Sequence, residues 1–253
     1  MNPFEYDFGY AWQYSWIHLI PIAAGIGVAA LSLRFKRSRW ITGIGAVIAV
    51  WGVVGLLVLQ FGVRINLPFE LPTDQFIASG RGHVLDVGAG SGRAAIAVLR
   101  DRPQTKVVAL DWFKPGYGIE ENTADRVYRN ATVAGVRDRI EVQAADMCDM
   151  PLAAASFDAA VSTYAIDHMR REDSQRALNE VHRVLRPGGE FLLAVMHNDI
   201  YTNIAFPLVG AHGYFGPMSA ERYWREMLEG AKFDVVEAGE MPGTVYLLAR
   251  KRA

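Results

Sequence analysis

A glycine-rich turn, Gly88-Ala89-Gly90-Ser91-Gly92, follows the apolar run His83-Val84-Leu85-Asp86-Val87 and precedes a helical stretch from Arg93 to Arg100. Glycines at a strand-to-helix corner let backbone approach a ligand, and the first N–H groups of the helix point at it. The dinucleotide fingerprint G-x-G-x-x-G is not met. Gly88 and Gly90 match, but the third position is Arg93, whose side chain opposes the close helix–strand packing that motif needs. No Gly-Lys-Ser/Thr follows, which excludes a P-loop. Asp111 closes the next apolar run, 19 residues after Gly92. A carboxylate there can accept both hydroxyls of a ribose. Together the turn and the acid predict a nucleoside-binding corner.

A second set of residues could move protons. Asp167-His168 follows the apolar run Phe157–Ser162, and His197, Asp199 and Tyr201 follow the run Phe191–Met196. His168 is the foremost base candidate, because an imidazole titrates near neutrality. His197 to Met218 is 22 residues between two regular elements, a length that often marks a functional loop. It carries Tyr201, Phe206, His212, Tyr214 and Phe215, and is expected to form an apolar cover. His18 lies in an apolar run and reads as an interfacial residue, and Cys148 as packing. One cysteine in 253 residues excludes an intramolecular disulfide framework, and no His/Cys/acid cluster has metal-ligand spacing, so no metal is expected.

The elements that position these residues alternate. Strands are predicted at 83–87, 106–110, 140–144, 157–162, 191–196, 233–237 and 245–249. Helices are predicted at 93–100, 120–134, 173–185 and 219–230. The alternation argues for an α/β fold with a parallel sheet and crossover helices. In such sheets, ligands sit beyond the carboxyl ends of the strands. Arg186-Pro187-Gly188-Gly189 reads as the stop of the third helix. Pro242-Gly243 turns the last two strands.

The chain is 51% hydrophobic and 21% charged, with a net charge of −1. This excludes a disordered chain, and the absent basic excess argues against nucleic-acid binding. The apolar residues concentrate at the front. Ser15–Leu33 and Trp40–Val63 contain no charged residue, and each approaches the roughly 20 residues of a membrane span. Trp12, Tyr14, Trp16 and Trp40 mark their edges, as aromatics do at headgroup level. Gly25/Ala29 and Gly45/Ala49 have the small-xxx-small spacing of close helix pairs. Glu5 and Asp7 occupy the place of a signal peptide's basic region. The expectation is an N-terminal two-helix transmembrane hairpin over 15–33 and 40–63, within an anchor of residues 1–66. A linker of 67–79 and a catalytic domain of 80–253 follow. The connecting loop holds Arg34, Lys36, Arg37 and Arg39, which the positive-inside rule would place in the cytoplasm, forcing the domain outside.

Four motifs in order resemble the class I S-adenosylmethionine-dependent methyltransferases: Val84–Gly92; Asp111; Ala145-Asp146-Met147 with Ser156-Phe157-Asp158; and Leu185–Gly189. The resemblance covers residues 80 to 250. It implies a Rossmann-like doubly wound sheet, mostly parallel with an antiparallel last strand, and S-adenosylmethionine as cofactor. By position it implies that Asp86 orders the glycine loop or reaches the methionine ammonium through water. Gly88, Ala89, Gly90 and Gly92 would line the methionine and ribose. Asp111 would hold the ribose hydroxyls, Trp112 would lie along the adenine, and Asp146 with the Met147 backbone would meet the adenine amino group. Thr163 and Tyr164 would border the methionine and the acceptor mouth, with Tyr164 a second catalytic candidate beside His168. The long loop Trp112–Gly118 resembles that of a membrane-tethered subgroup.

A cytosolic cofactor requires a domain facing the cytoplasm, in conflict with the charge rule for the hairpin, and the cofactor argument takes precedence. The expectation is therefore a membrane-anchored methyltransferase for a small lipophilic acceptor: a lipid head group, a quinone-like ring or a thiol. Its partners would be that acceptor and the lipid bilayer, with no nucleic acid; the motifs carry nothing about oligomeric state. The competing reading is a catalytically silent S-adenosylmethionine-binding membrane module. The intact glycine loop and both acids disfavour it. An aminopropyl transferase would need further acids that are absent.

Overall fold

The computed structural model describes residues 5–114, 118–207 and 218–252. Its centre is a seven-stranded sheet in the order β3-β2-β1-β4-β5-β7-β6. The strands are β1 (Arg81–Val87), β2 (Gln104–Asp111), β3 (Ile140–Ala144), β4 (Phe157–Thr163), β5 (Leu185–Met196), β6 (Phe233–Met241) and β7 (Thr244–Lys251). β1 to β5 are parallel, whereas β7 runs antiparallel to both β5 and β6. The chain order reverses between β1 and β4, and such a switch point opens a crevice at the carboxyl ends of the strands.

Strand alternation builds two cores. Leu85, Val87, Val108 and Leu110 face α6 (Arg171–Val184) and α8 (Ala220–Gly230), burying Leu178, Val181, Trp224 and Leu228. Val84, Val107 and Ala109 face α4 (Arg93–Asp101) and α5 (Ala124–Val133), burying Ile96, Leu99, Val127 and Ala131. Side chains two apart share a face, so one strand serves both layers. The proposed linker stretch is irregular, yet Phe69, Phe76 and Ile77 are buried.

Several boundaries differ from expectation. The stretch expected to end and stop the third helix, Leu185–Gly189, instead begins β5, since the helix ends at Val184 and Leu185 already pairs with Phe157. The helix expected from Glu120 begins at Ala124, capped by Thr123. The Glu120 N–H is committed instead to Gly9 O, beside an antiparallel bridge between Tyr10 and Ile119.

The two N-terminal apolar runs form a helical pair, α2 (Leu19–Arg34) and α3 (Arg39–Leu57), the latter prolonged by a wide turn through Gly62. The pair packs through backbone: a methyl at Gly25 would overlap Gly45 O and Ala49, and one at Gly45 would overlap Gly25 O and Ala29. Large apolar side chains point outward, among them Ile26, Leu31, Ile44, Val47 and Val50. The expectation of two full-length spans is corrected. Only Arg39–Gly62 is long and apolar enough to cross a membrane among the described residues. The first run is broken into α1 (Trp12–Trp16) and the 16-residue α2 by the turn at Ile17-His18.

Candidate functional site

The glycine loop leaves β1 with Gly88, Gly90 and Gly92 at φ of 74°, 51° and 84°. L side chains rarely take these values. A methyl at Gly88 would overlap Ala165, and one at Gly90 would press on Ile119. The Gly88 and Ala89 N–H groups donate to Leu110 O at 2.8 and 3.0 Å, tying the loop to the end of β2.

Asp111 completes the corner. Its Oδ2 accepts the Gly90 N–H at 2.8 Å, and its Oδ1 accepts the Phe113 N–H at 2.7 Å and Asn122 Nδ2 at 3.0 Å. One carboxylate therefore fixes the glycine loop and the loop after β2. Asp86 is buried beneath them. Its Oδ2 accepts the Ala95 N–H in the first turn of α4 at 2.8 Å, while Oδ1 has no hydrogen-bond partner. Burial pushes the Asp86 carboxyl up to about 7, and the Asp111 charge adds to the shift.

At the end of β3, Asp146 Oδ1 accepts the Cys148 N–H at 2.8 Å, which bends the chain so that the Met147 methyl lies over Gly88. Trp112 is half exposed, with the Lys114 ammonium 3.2 Å from its ring centroid. Burial raises the Cys148 thiol to about 11, and its Sγ donates to Asp173 O at 3.5 Å, consistent with packing.

Thr163 ends β4. Tyr164 follows with φ of 51°. Its N–H donates to Ala194 O at 2.9 Å, its hydroxyl bonds Thr244 Oγ1, and its ring meets Phe69 edge-on at 6.1 Å. Its hydroxyl is thus engaged with β7, and burial raises its pKa. Asp167 and His168 occupy the short turn Ile166–His168. Asp167 Oδ2 accepts the Met196 N–H at 2.9 Å, joining the ends of β4 and β5. Its Oδ1 is buried without a partner. Burial pushes the Asp167 carboxyl up, against the pull of His168.

The other base candidates are structural or peripheral. Asp199 caps α7 (Ile200–Ala205): Oδ1 accepts the Thr202 N–H and Oδ2 the Gly243 N–H, both at 2.8 Å. His197 Nε2 stands 3.7 Å from Glu240, and Tyr201 is exposed on α7. His212, Tyr214 and Phe215 lie outside the described residues. His18 is corrected from interfacial to fully buried.

Sequence reasoning missed how the N-terminus covers the corner. Ser91 Oγ donates to Phe8 O at 2.9 Å, and Asn130 Nδ2 donates to Asp7 O at 2.8 Å and Ser91 O at 3.0 Å. The available signal was Asn130 itself, an amide on the apolar face of α5, since a buried amide demands partners. Arg93, the misfit of the dinucleotide pattern, donates to Leu67 O at 2.6 Å and Arg64 O at 2.8 Å. It stitches the segment after the hairpin to the first turn of α4.

The corner fits a cationic nucleoside. It offers a left-handed glycine cradle, an acid at the end of β2, and a buried carboxylate oxygen with unmet acceptor capacity. Residues 84–189 match the family model described as a methyltransferase domain. The chain's relatives are methyltransferases, and S-adenosylmethionine is the cofactor that the match and the corner support. The chain is 32% identical over 157 residues to the O-methyltransferase resE of Aspergillus sclerotiorum, covering 61% of this chain and 56% of that protein. It therefore spans about half the length of that curated relative. It is 26% identical to a ubiquinone/menaquinone biosynthesis C-methyltransferase of Geotalea daltonii, over 66% of this chain and 70% of that one. Among solved structures, the domain resembles the 1,6-didemethyltoxoflavin-N1-methyltransferase of Burkholderia thailandensis at a TM-score of 0.51 and 23% identity. That likeness covers 70% and 74% of the two chains, and that protein was solved with S-adenosylhomocysteine.

Proposed function

We propose that the protein is a membrane-anchored methyltransferase acting on a small lipophilic acceptor with a ring or hydroxyl nucleophile. The observation that carries the methyl-transfer reading is the Asp111 carboxylate locked to Gly90 in a domain matched to methyltransferases. The relatives' names, an O-methyltransferase and a quinone-pathway C-methyltransferase, support the acceptor class.

When bound, S-adenosylmethionine supplies a methyl activated by a positive sulfur. The chain's own residues do the rest. Gly88, Ala89, Gly90 and Gly92 would cradle the methionine and ribose parts, and Asp111, held in place by Gly90, Phe113 and Asn122, would offer its remaining acceptor capacity to the ribose hydroxyls. Asp86 orders α4 through the Ala95 N–H and keeps one buried oxygen without a partner. Trp112, Asp146 and Met147 would border the base, and Thr163 the sulfonium side. A hydroxyl or ring acceptor must lose a proton. His168 is the proposed base, with the Asp167 carboxyl as its electrostatic neighbour. Tyr164, whose hydroxyl is held by Thr244, shapes the wall between them. Holding the acceptor in line and excluding water provide the remaining rate.

The anchor, residues 1–66, is proposed to enter the bilayer from the cytoplasmic side, with the 67–79 linker and the 80–253 domain at its base. What supports this is a hairpin whose interior is glycine and whose outer surface is apolar. At 1.5 Å per residue the 16 residues of α2 reach about 24 Å, short of a bilayer core of about 30 Å. The tip arginines can snorkel to make up the difference. An anchor of this kind raises the local concentration of a membrane-dissolved acceptor. The test pairs vesicle flotation of the full chain with calorimetry of S-adenosylmethionine binding. Retention in the soluble fraction would refute the anchor, and no binding would refute the enzyme.

A further inference from the structure

The hairpin is more than tethered to the domain. His18, at the start of α2, is wholly buried, and its Nε2 donates to Ala205 O at 2.8 Å across 187 residues. Ala205 is the last residue of α7, where helix carbonyls lack partners within the helix. The imidazole lies edge-on to Trp51, with centroids 5.7 Å apart. It occupies space that exists only because residue 55 is glycine, since a methyl there would overlap the ring. Around this strut, Leu59 and Ile65 at the base of the hairpin pack with Ala205 and Phe206, and against Tyr10 and Tyr14. Tyr14 in turn covers Gly118, and Tyr10 pairs with Ile119, whose side chain lies where a methyl at Gly90 would point. The other end of α7 is held by Asp199, three residues beyond Met196, whose N–H binds Asp167. One continuous wall therefore runs from the N-terminal hairpin, through α7 and the N-terminal tyrosines, to both the glycine loop and the Asp167-His168 turn.

We propose that the hairpin forms a wall of the acceptor site, and that His18 is the positioning residue that holds α7 in that wall. The inference rests on the methyltransferase reading above for the word acceptor, but the His18–α7 linkage stands on its own geometry. An acceptor dissolved in the bilayer would then meet the reacting site beside the base of the hairpin, without crossing the aqueous face of the domain.

The experiment uses the full chain in phosphatidylcholine–phosphatidylglycerol nanodiscs, as wild type, His18→Phe, His18→Gln and Gly55→Ala. Phenylalanine keeps the ring volume and removes the donor, glutamine restores a donor, and the alanine displaces an intact imidazole. Three quantities are measured: amide hydrogen exchange over residues 200–206, S-adenosylmethionine affinity, and incorporation of labelled methyl into a bacterial lipid extract loaded in the discs. His18→Phe and Gly55→Ala should each speed exchange over 200–206 at least tenfold and cut incorporation at least tenfold. Cofactor affinity should stay within twofold, and His18→Gln should recover most of both losses. A merely structural lesion would lower cofactor affinity in step and would not be rescued by glutamine; that result overturns the proposal. Unchanged exchange over 200–206 overturns the His18 linkage whatever the activity. Absent labelling by the wild type overturns the methyltransferase reading, and the acceptor wall with it, while the exchange data still decide the linkage.

Discussion

Gly90 donates its backbone N–H to Asp111 Oδ2 at 2.8 Å, so the acid at the end of β2 shapes the glycine loop after β1. The same carboxylate holds Phe113 and Asn122, which makes it the keystone of the cofactor corner. Asp111→Ala should weaken S-adenosylmethionine binding by at least 100-fold, about 2.8 kcal/mol at 1.4 kcal/mol per tenfold. Asp111→Asn, which keeps one acceptor, should fall between. Calorimetry checks both, and unchanged affinity in the alanine variant would remove Asp111 from the site.

Gly88→Ala tests the cradle from the backbone side. The residue has φ of 74° and faces Ala165 and Met147 at contact distance. Left-handed backbone alone costs an L residue about 1–2 kcal/mol, and the overlap adds to it. Lower thermal stability together with at least tenfold weaker cofactor binding is the expected outcome. A variant with wild-type melting and affinity would contradict the geometry.

The Asp86 carboxyl is held up to about 7 by burial, above its ordinary value of 3.8. Between these values the folded protein binds a proton that the unfolded chain has released. The Asp86 contribution to stability is therefore fully present below about pH 3.8 and lost as pH rises through about 7. Asp86→Asn should remove that descending component from the melting temperature of the cofactor-free protein. A cationic ligand beside Asp86 favours the carboxylate, so binding near pH 6.5 should release protons. Calorimetry in buffers of different ionisation enthalpy would show this release in the wild type and its loss in Asp86→Asn; identical behaviour of the two proteins would contradict it.

His168→Asn should lower the methyl-transfer rate by about 10²–10⁴-fold, the usual worth of a general base, with cofactor affinity within twofold. Asp167→Asn should give a smaller loss of the same kind, because it keeps a group near Met196 but not the charge beside His168. Single-turnover transfer measures both. A His168 variant with full activity would assign the proton to another group, or to none.

The outward face of α3 carries Ile44, Val47 and Val50, all exposed. Changing the three together to Asn should release the protein from phospholipid vesicles in a flotation gradient while leaving the catalytic domain's cofactor affinity intact. Continued flotation would locate membrane attachment elsewhere.

The sheet and the cofactor corner were readable because their signals are local. A strand, a glycine turn and an acid at the next strand end lie within about 30 residues of one another. The residues that join distant parts were not. Asp199 resembled a base candidate, yet its oxygens are used by Thr202 and by Gly243, 44 residues away. Arg93 only spoiled a familiar pattern until Leu67 and Arg64 supplied the carbonyls it binds. His18 resembled an interfacial residue because nothing near it in the chain reveals Ala205. The helical start at Ala124 was displaced by Gly9, which takes the Glu120 N–H for a pairing no periodicity encodes. The 16-residue α2 fell short because hydropathy alone does not register the turn at Ile17-His18.

The central claim is methyl transfer to a membrane-dissolved acceptor. It is tested most directly by incubating the full-length protein in vesicles made from a bacterial lipid extract with methyl-labelled S-adenosylmethionine, then separating the aqueous and lipid phases. The account predicts label in a lipid-phase product, absent with Asp111→Ala and sharply reduced with His168→Asn. Label confined to unreacted cofactor, despite demonstrated binding, would contradict it and leave a cofactor-binding protein without methyl transfer.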